Sequence, residues 1–111
     1  MSTAAWLDDP RPEVQSYVKK ILAKNKGQLP PYSGPRAYDI IYSYKHCIET
    51  SGVTNKPADL DADRDRIRVC LSKLKGFPGV AGEITMNEHR DGAGSSAILK
   101  VVNGKYVNVA K

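Results

Sequence analysis

The segment FPGVAGEITM, residues 77–86, constrains the fold of this chain more than any other stretch. Pro78 cannot extend a preceding helix, because its ring removes the backbone N–H and fixes φ. Gly79 and Gly82 permit backbone angles that other residues avoid. Helical patterns precede the segment and extended patterns follow it. We therefore predict that it joins a helical part of the chain to a strand over 83–86.

Three amphipathic helices are predicted before this segment, over about 10–26, 36–51 and 62–75. Each pattern places apolar residues three and four positions apart, and a glycine follows, as is common at helix C-termini. The buried face of the first helix is expected to comprise Val14, Tyr17, Val18, Ile21 and Leu22. The buried face of the second helix is expected to comprise Ala37, Ile40, Ile41, Tyr44, Cys47 and Ile48.

A β-hairpin is predicted at the end of the chain. Strands over about 97–102 and 105–109 flank Asn103 and Gly104, and an Asn-Gly pair between apolar runs is a strong hairpin signal. Apolar residues occur on both faces of these strands, so both faces are expected to need cover. The stretches 28–35 and 87–96 are rich in proline, glycine or polar residues, and we predict a stiff connector and a flexible turn there.

Composition predicts one small soluble domain. The chain has 111 residues, a net charge of +5, 41% hydrophobic and 26% charged residues. No apolar run approaches the roughly 20 residues of a membrane span, and the first residues are too acidic for a signal peptide, so the residues alone predict a cytoplasmic chain. Arginines alternate with aspartates over 61–68, which is typical of a solvated face and speaks against nucleic-acid binding.

The chain offers no convincing catalytic, metal or cofactor site, and we predict that it is not an enzyme. His46 stands beside Cys47, but no third group orients the pair as nucleophilic catalysis requires. Aspartates at alternate positions over 59–65 resemble a calcium loop, yet the required glycine and glutamate are missing. These acids are expected to charge the start of the third helix.

The pair Tyr38 and Asp39 is the candidate ligand-binding site. An aromatic ring and a carboxylate near a helix N-terminus can form a corner that faces a ligand. The alternative is structural, with the carboxylate capping the helix and the ring packing. Tyr42 lies four positions after Tyr38, so the two rings are expected to stack along the helix.

Cys47 and Cys70 are the two cysteines of the chain, and they lack the CxxC spacing of a zinc site. Two readings stay open at this point. They are either two buried thiols, which fits a reducing compartment, or one disulfide, which implies an oxidising compartment.

The order of these features resembles one protein family. AYD at 37–39 opens the second helix, DRIR at 65–68 lies in the third, and FPGVAGEITM precedes the terminal hairpin. The last phrase matches the pattern F-x-G-V-x-G-x-I-x-F/M of the type I periplasmic binding proteins of ABC transporters, the branched-chain amino acid type, also called extracellular ligand-binding receptors. The resemblance runs from about Leu7 to the end of the chain.

The resemblance implies a fold of the α/β class, in which this chain is an α+β arrangement of three helices, a strand and a C-terminal hairpin. Residues 1–111 are then a single domain, the C-terminal fragment of a two-lobed solute-binding protein that is much longer. The signal peptide and the sheet of each lobe lie outside this chain. The segment after Gly82 is implied to cross near the hinge between the lobes.

The function implied by the resemblance is that of the receptor component of an ABC uptake system for amino acids or related small organic acids. The implied partners are that ligand, held by the full-length protein, and a membrane permease. The implied location is the periplasm. We expect that the fragment alone does not bind ligand and hides its unpaired strands in a homodimer. The alternative is a stand-alone structural or protein-interaction domain derived from the same fold.

Overall fold

The computed structural model of the chain describes residues 7–31, 33–94 and 98–109. These residues form helices followed by short antiparallel strands, so the mixture of α-helix and β-strand expected from the sequence is confirmed. The helices are α1 (Pro12–Lys24), α2 (Ser33–Thr50) and α3 (Leu60–Ser72), with a 3-10 turn at Pro57–Asp59 before α3. The strands are β1 (Phe77–Pro78), β2 (Glu83–Met86), β3 (Gly92–Gly94), β4 (Leu99–Val102) and β5 (Lys105–Asn108). None of the described helices is both long enough and apolar enough to cross a membrane.

Helix α2 begins three residues earlier than the predicted residue 36, and it takes up the end of the supposed connector. Pro35 lies in its first turn, where a proline is tolerated because that turn's N–H groups have no partner within the helix. Gly34 is required beside it, since a Cβ there would lie 2.9 Å from Pro30 and 3.1 Å from the hydroxyl of Tyr17. The start of α2 is thus packed closely against the end of the connector and α1.

The buried face of α2 agrees with the prediction only at Cys47. The predicted apolar residues Ile40, Ile41, Tyr44 and Ile48 are 45–66% exposed. The helix instead buries a stripe of residues four positions apart, because its neighbours cover that side and offer hydrogen-bond donors to a polar member of the stripe. This buried stripe consists of Pro35, Asp39, Ser43 and Cys47.

The apolar core is small and centres on α1. Val14 and Tyr17 of α1 are buried as predicted, and Val80 from the 77–86 segment packs with them. Val18 and Ile21 of α1 lie partly buried at the edge of this cluster. The loop after β1 is therefore an integral part of the core rather than a surface connection.

The 77–86 segment forms two strands and a tight loop between them. β1 pairs with β2 in antiparallel fashion, Phe77 opposite Ile84, and the Gly82 N–H donates to the Gly79 carbonyl oxygen over 3.3 Å. β2 also pairs with β3, so the prediction of a flexible loop at 92–94 is wrong. Backbone pairing needs no large side chain, and a Gly-Ala-Gly edge strand is invisible to pattern reading. The remainder of that predicted loop, at 95–96, lies outside the described residues.

The predicted hairpin is present as a separate two-stranded sheet of β4 and β5. Asn103 and Gly104 form its turn with φ of 50° and 75°, the positive values that this kind of turn requires. The Val109 N–H donates to the Ile98 carbonyl oxygen over 2.9 Å, which extends the pairing beyond the strands. Residue 97, included in the predicted strand, lies outside the described part of the chain.

The described chain is elongated, with principal extents of 58 × 34 × 20 Å. Its radius of gyration is 16.6 Å. A compact domain of this length is expected near 13 Å. Large apolar side chains are correspondingly exposed on the hairpin, among them Val101 at 61% and Tyr106 at 69%. The small core and the extended outline leave two apolar surfaces uncovered, one on α2 and one on the hairpin.

Candidate functional site

The Tyr38 and Asp39 corner sits where α2 meets the loop between β1 and β2. Asp39 is only 4% exposed, and its carboxylate faces this loop. Oδ1 accepts the Val80 N–H over 2.7 Å, and Oδ2 accepts the Ala81 N–H over 2.8 Å. Both carboxylate oxygens therefore hold the 79–82 loop, which they join to α2 across more than forty positions of sequence.

The loop is shaped to admit this carboxylate. A Cβ on Gly79 would lie 2.7 Å from Oδ2 of Asp39 and 2.5 Å from the carbonyl oxygen of Gly82, so only glycine fits. Arg11, just before α1, donates from Nη1 to the Gly79 carbonyl oxygen over 3.0 Å. Its Nε also donates to Asp9 over 2.9 Å, which orients the guanidinium. The loop is thus held from α2 on one side and from the start of α1 on the other.

The electrostatic environment of Asp39 is unfavourable to its charge on balance. Burial raises the pKa of this carboxyl above its ordinary value. The N–H groups of Ala81 and Val80, and the positive charges of Arg11 and Arg36, oppose this rise without cancelling it. The pKa of Asp39 therefore depends on the position of the 79–82 loop, because two of the N–H groups that lower it belong to that loop.

A cluster of tyrosines covers the other side of the corner. The rings of Tyr38 and Tyr42 stack with centroids 4.3 Å apart, which confirms the predicted pairing. Tyr17 meets Tyr38 edge-on at 4.9 Å. Burial, together with a hydrogen bond to Tyr42 and the nearby charge of Asp39, raises the pKa of Tyr38 to about 12. The phenol of Tyr38 therefore stays neutral near pH 7 and acts as a packing and hydrogen-bonding group.

The geometry is compatible with both interpretations of Tyr38 and Asp39, a ligand-binding site and a structural contact. The carboxylate of Asp39 serves the loop, which is the structural role. A ligand could still contact the half-buried ring of Tyr38, and the assignment of Tyr38 and Asp39 to ligand binding stays a prediction. Displacement of Asp39 would leave the N–H groups of Val80 and Ala81 without this acceptor.

A second clamp of the same kind, which sequence reasoning missed, lies at the start of α3. Asp63 accepts the backbone N–H groups of Thr54 and Asn55 at 2.9–3.1 Å. Arg66, one turn later, donates to Oδ1 of Asp63 over 2.6 Å. The alternating aspartates are visible in the sequence, but their spacing does not indicate that Asp63 is the one that accepts hydrogen bonds from the preceding loop.

A disulfide joins Cys47 of α2 to Cys70 of α3, with the Cα atoms 5.6 Å apart. Of the two readings that the sequence left open, the structure therefore has the bridge. It closes a ring of chain that includes the Asp63 clamp and the whole connection between the two helices. The α2–α3 pair is fixed covalently, whereas the 79–82 loop is held by hydrogen bonds and by the packing of Val80 in the core.

The remaining candidates of the sequence are the alternating aspartates and the two histidines. No cluster of three or more His, Cys, Asp or Glu side chains able to hold a metal occurs there. The ring of His46 packs near Phe77 with centroids 5.4 Å apart, and His89 lies in the exposed turn before β3.

Comparison with protein-family models gave no match, and comparison with curated proteins and with solved structures gave none either. No relative therefore contributes a function or a fold name to this chain.

Proposed function

We propose that this chain is the C-terminal part of the solute-binding receptor of an ABC uptake system for amino acids or related small organic acids. The proposal combines the FPGVAGEITM phrase and the order of the surrounding elements with one structural observation. That observation is the apolar face of α2, where Ile40 and Ile41 are 56% and 66% exposed.

A helix exposes such a face when the residues that would pack against it belong to another part of a larger protein. A monomeric soluble protein rarely exposes a contiguous apolar patch of more than a few hundred Å². Here α2 exposes several large apolar side chains, and the hairpin exposes others. A larger receptor would cover both surfaces with its lobes and would also supply most of the groups that grip the ligand.

Two further features support the proposal. The 79–82 loop, held by Asp39 and Arg11, gives a rigid start to the segment that would cross between lobes. The Cys47–Cys70 disulfide suits an exported protein, because such bridges persist in oxidising compartments such as the periplasm. On this proposal the isolated chain does not bind solute, and the complete receptor delivers it to a permease.

The decisive experiment compares this chain with the complete product of its reading frame. The chromosomal locus is sequenced, any longer open frame is expressed, and both proteins are titrated calorimetrically with the amino acids and a set of short organic acids. We expect heat from the longer protein with at least one ligand, no heat from residues 1–111 alone, and permease and ATPase genes nearby. A locus with neither an upstream lobe nor transporter genes, and no heat from either protein, would sink the proposal.

The alternative function is a stand-alone structural or interaction domain, and the same exposed faces favour it. In that case the isolated chain binds a protein partner or itself. Light scattering across a dilution series distinguishes self-association, since a dimer's mass and melting temperature both depend on concentration. A concentration-independent monomer would exclude the homodimer. Partner capture from an extract that is lost when Gly104 is changed to Val would favour the interaction domain.

A further inference from the structure

An apolar groove lies between α2, α3 and β2, away from the Asp39 corner. Its volume is about 370 Å³, within the range of sites that receive a bulky group. The floor is formed by Tyr44 of α2, Ile67 and Leu71 of α3, and Met86 of β2. Three elements thus meet around a cleft whose lining is mostly carbon.

Three arginines stand at the edge of this groove. Arg64 and Arg68 lie one turn apart on α3, and Arg90 lies in the turn before β3. Arg68 is paired with Asp65 at 2.7 Å, and Arg64 lies 3.9 Å from Asp61.

Arg90 differs from the other two, because no carboxylate in the described part of the chain pairs with its guanidinium. It is placed by a well-bonded turn, in which the side-chain oxygen of Asn87 accepts the N–H groups of His89 and Asp91 over 2.9 Å and 2.8 Å. The lining of the groove therefore includes three guanidinium groups and no carboxylate, and the guanidinium of Arg90 has no carboxylate partner among the described residues.

Charge and shape together restrict what can cover the groove. A second copy of this chain carries a net charge of +5 as well, so its approach to an arginine edge is opposed. Tyr44 belongs both to the groove and to the exposed apolar face of α2. A small molecule fills the cleft but leaves that face exposed, whereas a polypeptide surface can cover both.

We infer that the groove receives an acidic segment of polypeptide. A bulky aliphatic or aromatic side chain of that segment enters between Tyr44 and Met86, and carboxylates beside it pair with Arg90 and with an arginine of α3. This inference rests on the proposed function in one respect, that the missing cover of α2 is protein. In the complete receptor the segment belongs to the remainder of the chain.

The test uses the isolated chain and synthetic peptides of defined composition. The probe is the capped hexapeptide Glu-Glu-Leu-Phe-Glu-Glu, followed by amide chemical-shift changes in NMR at low salt. One matched peptide carries Lys in place of Glu, and another carries Ser in place of Leu and Phe. We expect shifts at Leu71, Met86 and Arg90, binding of the Glu peptide about tenfold tighter than of the Lys peptide, and weaker binding as salt rises. The Ser peptide should not bind.

Variants separate the groove from general charge attraction. Arg90→Gln should weaken binding of the Glu peptide about threefold, as expected for a partly exposed ion pair. Lys20→Gln on the exposed side of α1 makes the same charge change away from the groove and should leave binding unaltered. Unchanged dispersion of the amide spectrum shows that each variant is folded.

Three results would overturn the inference: equal binding of the Glu and Lys peptides, shifts confined to the hairpin, or equal effects of the two variants. Binding of sodium octanoate as tight as that of the peptide would also overturn it, in favour of a small-molecule site. If the complete protein binds an amino acid while the peptide fails in the groove, this inference falls and the proposed function stands. If the peptide binds in the groove while the complete protein binds no solute, the proposed function falls and this inference stands.

Discussion

Asp39 on α2 and Asp63 on α3 do the same structural work in two regions, and their ionisation responds in opposite ways. Each is nearly fully buried, and each accepts two backbone N–H groups from a loop. The pKa of Asp39 is raised, chiefly by burial, whereas the pKa of Asp63 is lowered, chiefly by the Thr54 N–H. Burial of a carboxylate therefore does not by itself decide the direction of its shift.

The difference lies in the depth of burial and in the neighbours, since burial is the largest cause of the pKa shift at Asp39 and is outweighed by the Thr54 N–H at Asp63. Asp63 also accepts from the hydroxyl of Thr54 and from the guanidinium of Arg66 at 2.6 Å, so its charge is compensated at close range. Arg11 and Arg36 act on Asp39 without a hydrogen bond to it. A direct cation and an added donor offset the loss of solvation where more distant charges do not.

The two loops also differ in their covalent support. The Thr54 loop lies inside the ring closed by the Cys47–Cys70 disulfide. The 79–82 loop lies outside it and depends on Asp39 and Arg11. We therefore expect the 79–82 loop to respond more strongly to loss of its aspartate, and the Thr54 loop to respond more strongly to loss of the bridge.

The largest effect is expected from Asp39→Ala. It leaves two N–H donors without an acceptor and should lower the free energy of unfolding by about 4 kcal/mol. Urea unfolding measures the loss, and amide exchange at Val80 and Ala81 should accelerate selectively. Asp65→Ala, which removes an exposed partner of Arg68, is the control and should cost less than about 1 kcal/mol. Similar losses in the two variants would refute the clamp.

Removal of the disulfide is next in size. Replacing Cys47 and Cys70 together by Ala should cost about 3 kcal/mol, the amount expected from closing a loop of this length. Amide exchange at Thr54 should accelerate more than exchange at Val80, since the ring contains only the first. Equal acceleration at both positions would show that the bridge does not distinguish the two loops.

The pH dependence should separate the two aspartates by sign. A raised folded pKa means that the contribution of Asp39 is fully present below its ordinary value of about 4 and is lost as pH rises through the folded pKa. A lowered folded pKa means that the contribution of Asp63 is present above about 4 and is lost as pH falls through the folded pKa.

Unfolding measured from pH 2 to pH 7 tests this on matched variants. The stability difference between wild type and Asp39→Asn should shrink as pH rises above about 4, and that between wild type and Asp63→Asn should shrink as pH falls below it. Parallel curves for the two pairs would contradict the opposite shifts.

The smallest expected effect is that of the Arg66 guanidinium on the pKa of Asp63. Arg66→Gln should raise the pKa of Asp63 towards its ordinary value, while the N–H of Thr54 keeps it from returning fully. Carbon-detected NMR titration of the side chain reports this directly. Arg68→Gln, which removes the exposed partner of Asp65, should leave the pKa of Asp63 unchanged. An equal change in both variants would mean that general charge, rather than the 2.6 Å contact, sets the shift.

Local signals predicted the elements whose causes are local. Helix periodicity located all three helices, and Asn103-Gly104 located the hairpin, because both depend on neighbouring residues. β3 escaped prediction, since its pairing with β2 depends on backbone groups from a distant segment. Apart from Cys47, the buried face of α2 was predicted wrongly, because periodicity shows which residues are apolar and not which side of the helix packs against a neighbour.

The sequence by itself determined that 77–86 must break the helical part of the chain, through Pro78, Gly79 and Gly82. Tertiary structure alone decided that this segment would be clamped by Asp39, forty positions away. The physical reason is that turn-forming residues act on their own dihedral angles, whereas a buried carboxylate is useful only where folding brings unsatisfied N–H groups to it.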